Sequence, residues 1–374
     1  MRKKLFVTSI FIIIVALTCG VWVVVAGAAS GLDSPIEIYL NGSLLESDVP
    51  PVLKDDRTFV PIRVIGEALG YVVDYDDGVV TMRHDVSGAT IEMAVGIPFA
   101  TINGKVIDLP VPAFIESDRT LAPVRFLSEA LDSNVIWEPG YYMVPDRVII
   151  NCPYPVDTLG GKVKIASRLE KQFWELESED FGPVDIGYDL NVPVLTIPDD
   201  KVLERKFNDE IFSFYELTKS EIRREYAGMA EDDEYVYGRT DECNYFIVND
   251  DSQILTVNIE GYAYFGGAHG MPYIISYNLD LEKGLILTLA DIFKPDADYE
   301  SILIQRMTAM CNEMPDLYED VEKPDFLEDG SFYFANGELV IYYQPYALSY
   351  FANGFVKFHI PIASLAGNIR DEYR

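Results

Sequence analysis

A histidine inside a glycine-rich turn is the residue of this chain whose type and setting best suit chemistry. His269 lies in the run Gly266-Gly267-Ala268-His269-Gly270, where the glycines allow a tight turn and a close approach of the backbone to other groups. Tyr262 and Tyr264 precede the turn. Because histidine titrates near neutral pH, His269 could be a metal ligand or an acid–base group in an aromatic cleft. The alternative is a strand-joining turn in which the histidine bonds the backbone.

The sequence offers this histidine few partners for a metal site. The chain has three histidines, His84, His269 and His359, which lie far apart. It has no Cys-x-x-Cys pair or Cys/His cluster of the kind that binds zinc. We therefore expect no metal and no cofactor. Cys152, Cys243 and Cys311 allow either one disulfide with a leftover thiol or three buried thiols.

A second candidate site is the motif Arg-Thr-x-x-Pro-x-Arg, which occurs twice. It begins at Arg57 and recurs 62 residues later at Arg119, and Asn41-Gly42 recurs at the same spacing as Asn103-Gly104. A repeat kept in one register indicates two copies of one structural unit, at about 36–90 and 98–151. The motif could form a ligand-binding loop. We favour a structural interpretation, in which Arg pairs with Glu, Thr caps the backbone and Pro starts a helix.

Each copy predicts a β-β-α-β-β module. Two short strands flank the Asn-Gly turn, and a proline-containing loop and the Arg-Thr segment follow. A helix then begins at or next to Pro61, since the first helical turn does not use the missing N–H, and ends at Gly70. Arg63 and Glu67 lie four residues apart on this helix and can pair. Two more strands complete the module.

A linker at 153–161, rich in proline and glycine, separates domain 31–152 from a second domain at 162–374. There, apolar spacing predicts an amphipathic helix from Lys201 to about Tyr226 that packs across a sheet, and another helix at Tyr299–Cys311. Strands occupy most of the remainder. The fold class is therefore α+β: a tandem β-β-α-β-β repeat module followed by a second α+β domain with an antiparallel sheet and packed helices.

The chain begins like an export signal. Residues 2–4 are Arg-Lys-Lys, and an apolar run from Leu5 to about Val25 is followed by small residues. Because the run is also long enough to span a bilayer, segment 1–30 is either a cleaved signal peptide or an N-terminal membrane anchor. Either one places the rest of the chain outside the cytoplasm, in the extracellular space or the cell envelope.

The charge of the chain limits its partners. The formal net charge of −32 argues against nucleic acid, whose binding depends on Lys and Arg meeting phosphates. A basic protein or a neutral glycan fits better. Membrane contact is expected only through the N-terminal segment, if it stays uncleaved.

The repeated pattern NG…PP…DRTFVPIRVIGEALG behind a signal segment resembles the copper amine oxidase-like N-terminal domain of exported Gram-positive proteins, over roughly residues 34–152. The resemblance implies a stalk or envelope-associated module. It does not imply an oxidase, because that activity needs three histidine ligands and a tyrosine-derived quinone in a separate catalytic domain. The quinone motif is missing here, since Asn244-Tyr245 is followed by Phe246 rather than by an acid.

The segments YFGGAHGMPYIISYNLDLEKGLILTLADIF (264–293) and FANGELVIYYQPYALSYFANGFVKFHIP (334–361) resemble an extracellular domain shared by an exported peptidoglycan deacetylase and a membrane anti-sigma factor that senses lysozyme. The resemblance covers roughly 160–370. In the deacetylase the chemistry belongs to a separate domain with its own Asp and paired His ligands, which this sequence lacks. What the resemblance implies is an extracellular domain, which in the anti-sigma relative recognises lysozyme.

Together these patterns predict an exported, non-catalytic cell-envelope protein. Its repeats would associate with the envelope, and its second domain would bind a wall glycan or a basic protein such as lysozyme. The candidate ligand-binding residues are His269, Gly266, Gly267, Tyr262, Tyr264, Tyr346 and Tyr350. The alternative is a metal-dependent cell-wall hydrolase or deacetylase-like enzyme centred on His269, which would need a second ligand folded close to that histidine.

Overall fold

The computed structural model describes residues 36–374 except 56, 86, 141–144, 179–181, 232–236, 252, 313, 315–316 and 318–330, and it leaves the side chains of 128–129, 230–231 and 250 undescribed. The expected signal peptide or anchor at 1–30 lies outside the described residues. From residue 35 onward the chain forms one compact unit. Among the described residues, we find no helix that is both long and apolar enough to span a membrane.

The repeated part consists mainly of short strands. In chain order its described elements are β1 Glu37–Leu40, β2 Ser43–Leu44, β3 Val52–Lys54, β4 Arg57–Pro61, α1 Ile62–Ala68, β5 Tyr71–Asp76, β6 Val79–His84, β7 Thr90–Ala94, β8 Phe99–Ile102, β9 Lys105–Asp108, β10 Phe114–Glu116, β11 Arg119–Pro123, α2 Val124–Ala130, β12 Asn134–Glu138 and β13 Arg147–Asn151. The starts of β1 to β4 and of α1 recur 62 residues later as the starts of β8 to β11 and of α2, so the duplication seen in the sequence is a duplication of structure.

The helix limits match the sequence prediction, and the number of strands does not. α1 begins directly after Pro61 and is followed by Gly70 at φ 81°, a left-handed conformation that ends helices. Each copy has two further strands, β3 and β4 or β10 and β11, where we expected a loop and an irregular segment. These strands form because β4 of one copy pairs with β11 of the other, a partner that local sequence cannot reveal.

This pairing relates the two copies by a local twofold axis. β4 and β11 run antiparallel, with Val60 opposite Ala122, its own equivalent 62 residues later. Strands are exchanged around the axis, which gives sheets of order β10-β11-β4-β3, β12-β13-β1-β2 and β5-β6-β7-β8-β9. Buried residues of both copies, including Ile62, Ile65 and Leu127, share one core. The two copies therefore fold as a single module.

The second part also begins with strands and carries the longest elements. Its described elements are β14 Val156–Thr158, β15 Val163–Ser178, β16 Gly182–Thr196, α3 Lys201–Glu231, β17 Arg239–Asp250, β18 Ile254–Tyr264, β19 Met271–Asp280, β20 Leu285–Ile286, α4 Leu289–Ile292, α5 Tyr299–Cys311, β21 Ser331–Ala335, β22 Glu338–Tyr343 and β23 Val356–Pro361, with single-turn helices at Leu159–Gly161, Phe351–Asn353, Ile362–Leu365 and Asp371–Tyr373. The helix starts expected at 201 and 299 are both observed, and the α+β fold class is confirmed.

A seven-stranded sheet of order β14-β15-β16-β17-β18-β19-β20 dominates this part. Its pairs are antiparallel except for β16 with β17. The long helix α3 packs on one face through Leu203, Phe207 and Tyr215, and its first turn is capped by Asp200, whose Oδ1 accepts from the N–H of Val202 and Leu203. The sheet β21-β22-β23 and helix α5 enclose a separate core. Cys152, Cys243 and Cys311 are all free thiols.

The Asn-Gly turn of the first copy attaches the repeats to the seven-stranded sheet. Asn41 and Gly42 have φ values of 44° and 78°, which suit a tight hairpin turn. Asn41 is 1% exposed. Its Oδ1 accepts from Cys152 N at 2.7 Å and from Ser167 Oγ at 2.9 Å, and its Nδ2 donates to Ile165 O at 2.9 Å. The carbonyl of Gly42 accepts from Ile247 N at 2.7 Å, so the turn is hydrogen-bonded to the sheet on both sides.

The duplicated turn provides its own control for a stability prediction. In the second copy, Asn103 is exposed and its Oδ1 accepts from Thr90 N at 2.8 Å, which is its one side-chain bond among the described residues. Glycine tolerates the left-handed turn at either position. We expect Asn41→Gly to lower the free energy of unfolding by about 3 kcal/mol more than Asn103→Gly, since three buried bonds of ~1 kcal/mol each are lost. Urea denaturation of both variants measures the difference, and equal losses would contradict this role for Asn41.

Candidate functional site

The face of the seven-stranded sheet opposite α3 forms an open cavity of about 1380 Å³, which we call the sheet groove. Strand alternation produces it. Leu190, Cys243 and Ile259 point toward α3, so the residues beside them point the other way. Residues 136–139, at the end of β12 and directly after it, line one side of the groove. Residues 351–355 line another side. Three distant parts of the chain therefore meet at one site.

Aromatic side chains line much of the sheet groove. Trp137, Tyr262, His269, Phe351 and Phe355 all contribute to its wall. Trp137 is 39% exposed and Tyr262 is 42% exposed. The His269 and Phe351 rings stack with their centroids 3.9 Å apart. Exposed flat rings in a concave setting are suited to stacking on a ligand that has an apolar face.

His269 lines the open groove, and its ring also bonds the backbone. Its Nδ1 lies 2.9 Å from Gly270 O and must donate to that carbonyl. In the neutral imidazole, its Nε2, which lies 3.4 Å from the Tyr346 hydroxyl, is then the acceptor. Among the residues that the structure describes, no group of three His, Cys, Asp or Glu side chains is placed to hold a metal.

The other candidate residues have mixed positions. Gly266 and Gly267 have φ values of 80° and 96° and shape the turn between β18 and β19. Two tyrosines stabilise this turn: the hydroxyl of Tyr262 accepts from Gly270 N at 2.7 Å, and that of Tyr264 donates to Gly267 O at 2.9 Å. Tyr264 is half-buried and does not line the groove.

Two further candidates come from the segment that follows β22. Tyr346 contacts His269 beside the groove, whereas Tyr350 is exposed and is not part of its lining. Sequence reasoning missed Trp137, Phe351 and the polar residues of the floor. Phe351 could have been noticed as the neighbour of Tyr350 in an aromatic pair. Trp137 could not, because its position in the repeat gives no sign that it faces the second part.

An arginine from the repeated part fixes one end of the sheet groove. Arg147 on β13 binds the carboxylates of Glu260 at 3.2 Å and Glu138 at 3.3 Å. Its guanidinium also lies 4.7 Å from the ring centroid of Phe246. Burial raises the pKa of Glu138 although Arg147 opposes the shift. Because Glu138 follows Trp137 directly, these contacts also hold the tryptophan at the rim.

The repeated Arg-Thr motif has a structural role where its contacts are described. Arg63 donates to Glu67 at 3.1 Å, as predicted, and to Val73 O at 2.7 Å. Arg119 pairs with Asp48. Both arginines line a smaller cavity of about 690 Å³. In the second copy the equivalent residues are Arg125 and Glu129, and the side chain of Glu129 lies outside the described residues.

A buried carboxyl group lies behind the groove, on the α3 side of the sheet. Asp241 is 5% exposed, and its Oδ1 accepts from the Tyr273 hydroxyl at 2.8 Å. Burial raises the pKa of Asp241 to about 6, although the bond from Tyr273 and the charge of Arg239 oppose the shift. Gly261 makes room for this pair, because a Cβ at that position would overlap the Tyr273 ring.

Comparison with known families supports both resemblances. Residues 39–150 match the profile of the copper amine oxidase N-terminal domain, residues 185–272 that of deacetylase PdaC, and residues 290–363 that of a protein of unknown function, DUF3298. The groove strands match the PdaC profile. That region contains β17, β18 and the glycine turn with His269, so the sheet groove is built largely on PdaC-like sequence.

The similarity to individual proteins is partial. Peptidoglycan-N-acetylmuramic acid deacetylase PdaC of Bacillus subtilis is 32% identical over 115 residues, which is 30% of this chain and 22% of that protein. The chain thus spans about a fifth of the length of this curated relative. Crystal structures of DUF3298 family members from Bacteroides fragilis and Pseudomonas aeruginosa have TM-scores of 0.43 and 0.38 at 17% and 15% identity. The matches cover 56% and 55% of this chain, and 94% and 96% of the respective chains in the crystal structures.

The buried carboxyl group generates a pH prediction. Since the pKa of Asp241 is raised from 3.8 to about 6, the folded protein binds this proton more tightly than the unfolded chain, and stability falls as pH rises through that interval. We expect the free energy of unfolding of Asp241→Asn to exceed that of the native protein by about 3 kcal/mol near pH 7, because raising the pKa from 3.8 to about 6 corresponds to that free energy. Near pH 4 the difference between the two proteins should be small. Urea denaturation at both pH values measures the effect.

Asp185→Asn is the matched control, because Asp185 lies exposed on the neighbouring strand β16. It should change the stability difference between the two pH values little. If the stability of the native protein changed between pH 4 and pH 7 by the same amount as that of Asp241→Asn, the assignment of the effect to Asp241 would be wrong.

Proposed function

We propose that this protein is exported to the cell envelope, where its sheet groove binds a wall glycan without catalysing a reaction on it. The main support for this proposal is that exposed aromatic rings and polar side chains converge in one concavity of about 1380 Å³. Sites for small ligands are typically concave and largely apolar, with a few polar groups that set orientation. A sugar fits this description, because its ring has an apolar face and hydroxyl groups around its edge.

Position relative to the sheet supports the proposal. The ring of Tyr262 lies next to Glu242 across the β17–β18 pair, and Glu260 lies next to Asn244 in the same pair. Cross-strand neighbours of this kind are about 5 Å apart. Trp137 approaches from the repeated part. A sugar ring resting on an aromatic face would thus have carboxylate and amide groups within reach of its hydroxyls.

Two observations support a location at the cell wall. The start of the chain has the composition of an export signal. The groove region is similar to PdaC of Bacillus subtilis, whose name states that it acts on peptidoglycan. The repeated part, with its match to the copper amine oxidase N-terminal domain, would serve for association with the envelope. It also completes the groove, since Arg147 and Trp137 belong to it.

The net charge of −32 favours a second candidate ligand, a basic extracellular protein such as lysozyme. Such a partner would meet the outer surface. In the groove, Glu138 and Glu260 are already paired with Arg147, and Asp189 with Lys171. Salt separates the candidates, because binding driven by net charge weakens strongly as ionic strength rises and stacking on aromatic rings does not. Binding to lysozyme and to peptidoglycan should therefore be measured at low and high salt.

The duplication supplies a matched pair for testing the groove. Tyr75 is the equivalent of Trp137 in the first copy and is 48% exposed, but it does not line the groove. We expect Trp137→Ala to weaken binding to soluble peptidoglycan fragments roughly tenfold, the effect of losing about 1.4 kcal/mol of stacking. Tyr75→Ala should leave affinity unchanged. Isothermal titration calorimetry measures both.

A failure of the native chain to bind peptidoglycan fragments at any salt concentration would refute the proposal. Equal losses in Trp137→Ala and Tyr75→Ala would mean that the ligand does not occupy the groove. A comparison of melting temperatures of the two variants excludes unfolding as the cause of lost binding.

A further inference from the structure

We infer that the floor of the sheet groove contains a subsite for the acetamido group of an N-acetylated sugar, and that Asn191 is the residue that recognises it. The inference rests on the proposed function, because it names the chemical class of glycan that the groove would select. It is carried by a different observation, the hydrogen-bonding state of one buried side chain.

Asn191 is buried without partners. It is 2% exposed, and neither its Oδ1 nor its Nδ2 has a hydrogen-bond partner among the residues that the structure describes. Its neighbours in β16, Leu190 and Val192, pack beneath α3. Strand alternation therefore directs Asn191 to the opposite face, where it forms part of the groove lining.

An unpaired carboxamide at this position has no structural explanation. Buried polar side chains are nearly always hydrogen-bonded, because leaving both a donor and an acceptor unpaired costs free energy. The flanking strand positions are apolar, and a leucine of similar size would satisfy the same packing. A group that both donates and accepts would remove the cost. A ligand in the groove can supply one.

The chemistry of Asn191 selects among ligand groups. A carboxamide presents a donor and an acceptor in one plane, and a secondary amide offers the complementary acceptor and donor. A protonated amine has donors only, so it would leave Nδ2 unpaired. A single hydroxyl can bond one of the two atoms well but does not match both in one plane. Among the groups that a glycan carries, the acetamido group of an N-acetylated sugar is the one that matches this carboxamide.

The surroundings of Asn191 fit the rest of that group. Leu169 lies directly opposite Asn191 in β15, lines the groove and is 42% exposed, so it offers an apolar surface for the acetyl methyl. On the other side, Asn244 also lines the groove, and its Oδ1 is held by Asn151 Nδ2 at 3.4 Å. The floor thus combines one apolar contact with amide groups beside the aromatic wall.

The test compares sugars that differ in one substituent. The full chain, purified in mild detergent, is titrated calorimetrically with β-linked tetrasaccharides of N-acetylglucosamine, of glucosamine and of glucose. We expect the N-acetylated sugar to bind at least tenfold more tightly than either of the others, which corresponds to about 1.4 kcal/mol. This comparison needs only the native chain.

A variant assigns the preference to Asn191. We expect Asn191→Leu to bind the N-acetylated and the glucose tetrasaccharides equally weakly. Its melting temperature should equal or exceed that of the native chain, because an unpaired polar group has been removed. Asn134→Leu is the control, because Asn134 is exposed on β12 and does not line the groove. This variant should retain the native preference.

The outcomes separate the two proposals. If the native chain binds none of the sugars and no peptidoglycan, the proposed function is wrong and the subsite with it. If the native chain binds all three sugars equally, or Asn191→Leu keeps the preference, the groove binds glycan but the acetamido subsite is wrong. Tighter binding of an N-acetylated dipeptide amide than of the N-acetylated sugar would assign Asn191 to a peptide and would also overturn the inference.

Discussion

The carboxamide of Asn41 provides the interaction on which the arrangement of the whole chain depends. A left-handed turn, with φ 44° at Asn41, directs this side chain inward, where it bonds Cys152 at the end of the repeats and Ile165 and Ser167 in β15. The same hairpin pairs β1 with β13. β13 carries Arg147, and its partner β12 carries Trp137. The geometry of the sheet groove therefore follows from the burial of one turn.

Duplication explains why only one such turn is buried. The Asn103-Gly104 turn has the same backbone conformation, and its asparagine likewise accepts from a strand N–H of the other copy, but it remains exposed. The two copies diverge after β5 and β12, since β5 and β6 are joined by a two-residue turn and β12 and β13 by the segment 139–146. The first copy presents Tyr75 to solvent, and the second presents Trp137 to the sheet. Only one of the two equivalent aromatic residues of this module therefore lines the sheet groove.

The sequence predicted the features that depend on local interactions. The repeat register, the limits of α1 and the starts of α3 and α5 follow from spacing, proline and capping residues. The groove depends on contacts between residues far apart in the chain, so His269 and Tyr262 could be proposed as site residues while Trp137 could not. One local signal was available for the floor. Asn191 interrupts the apolar run of β16 from Leu190 to Leu195, and a polar residue within such a run requires a partner.

Three costs to stability lie around the sheet groove. Asn191 is unpaired, and Tyr346, which contacts His269, has φ 72°, a conformation that is strained for a bulky side chain. Burial lowers the pKa of Lys357, whose Nζ lies 5.9 Å from the ring centroid of Phe355 in the groove wall. Selection for stability alone would favour leucine, glycine and an uncharged residue at these three positions. Their presence beside one groove is the pattern expected where binding rather than folding determines the residues.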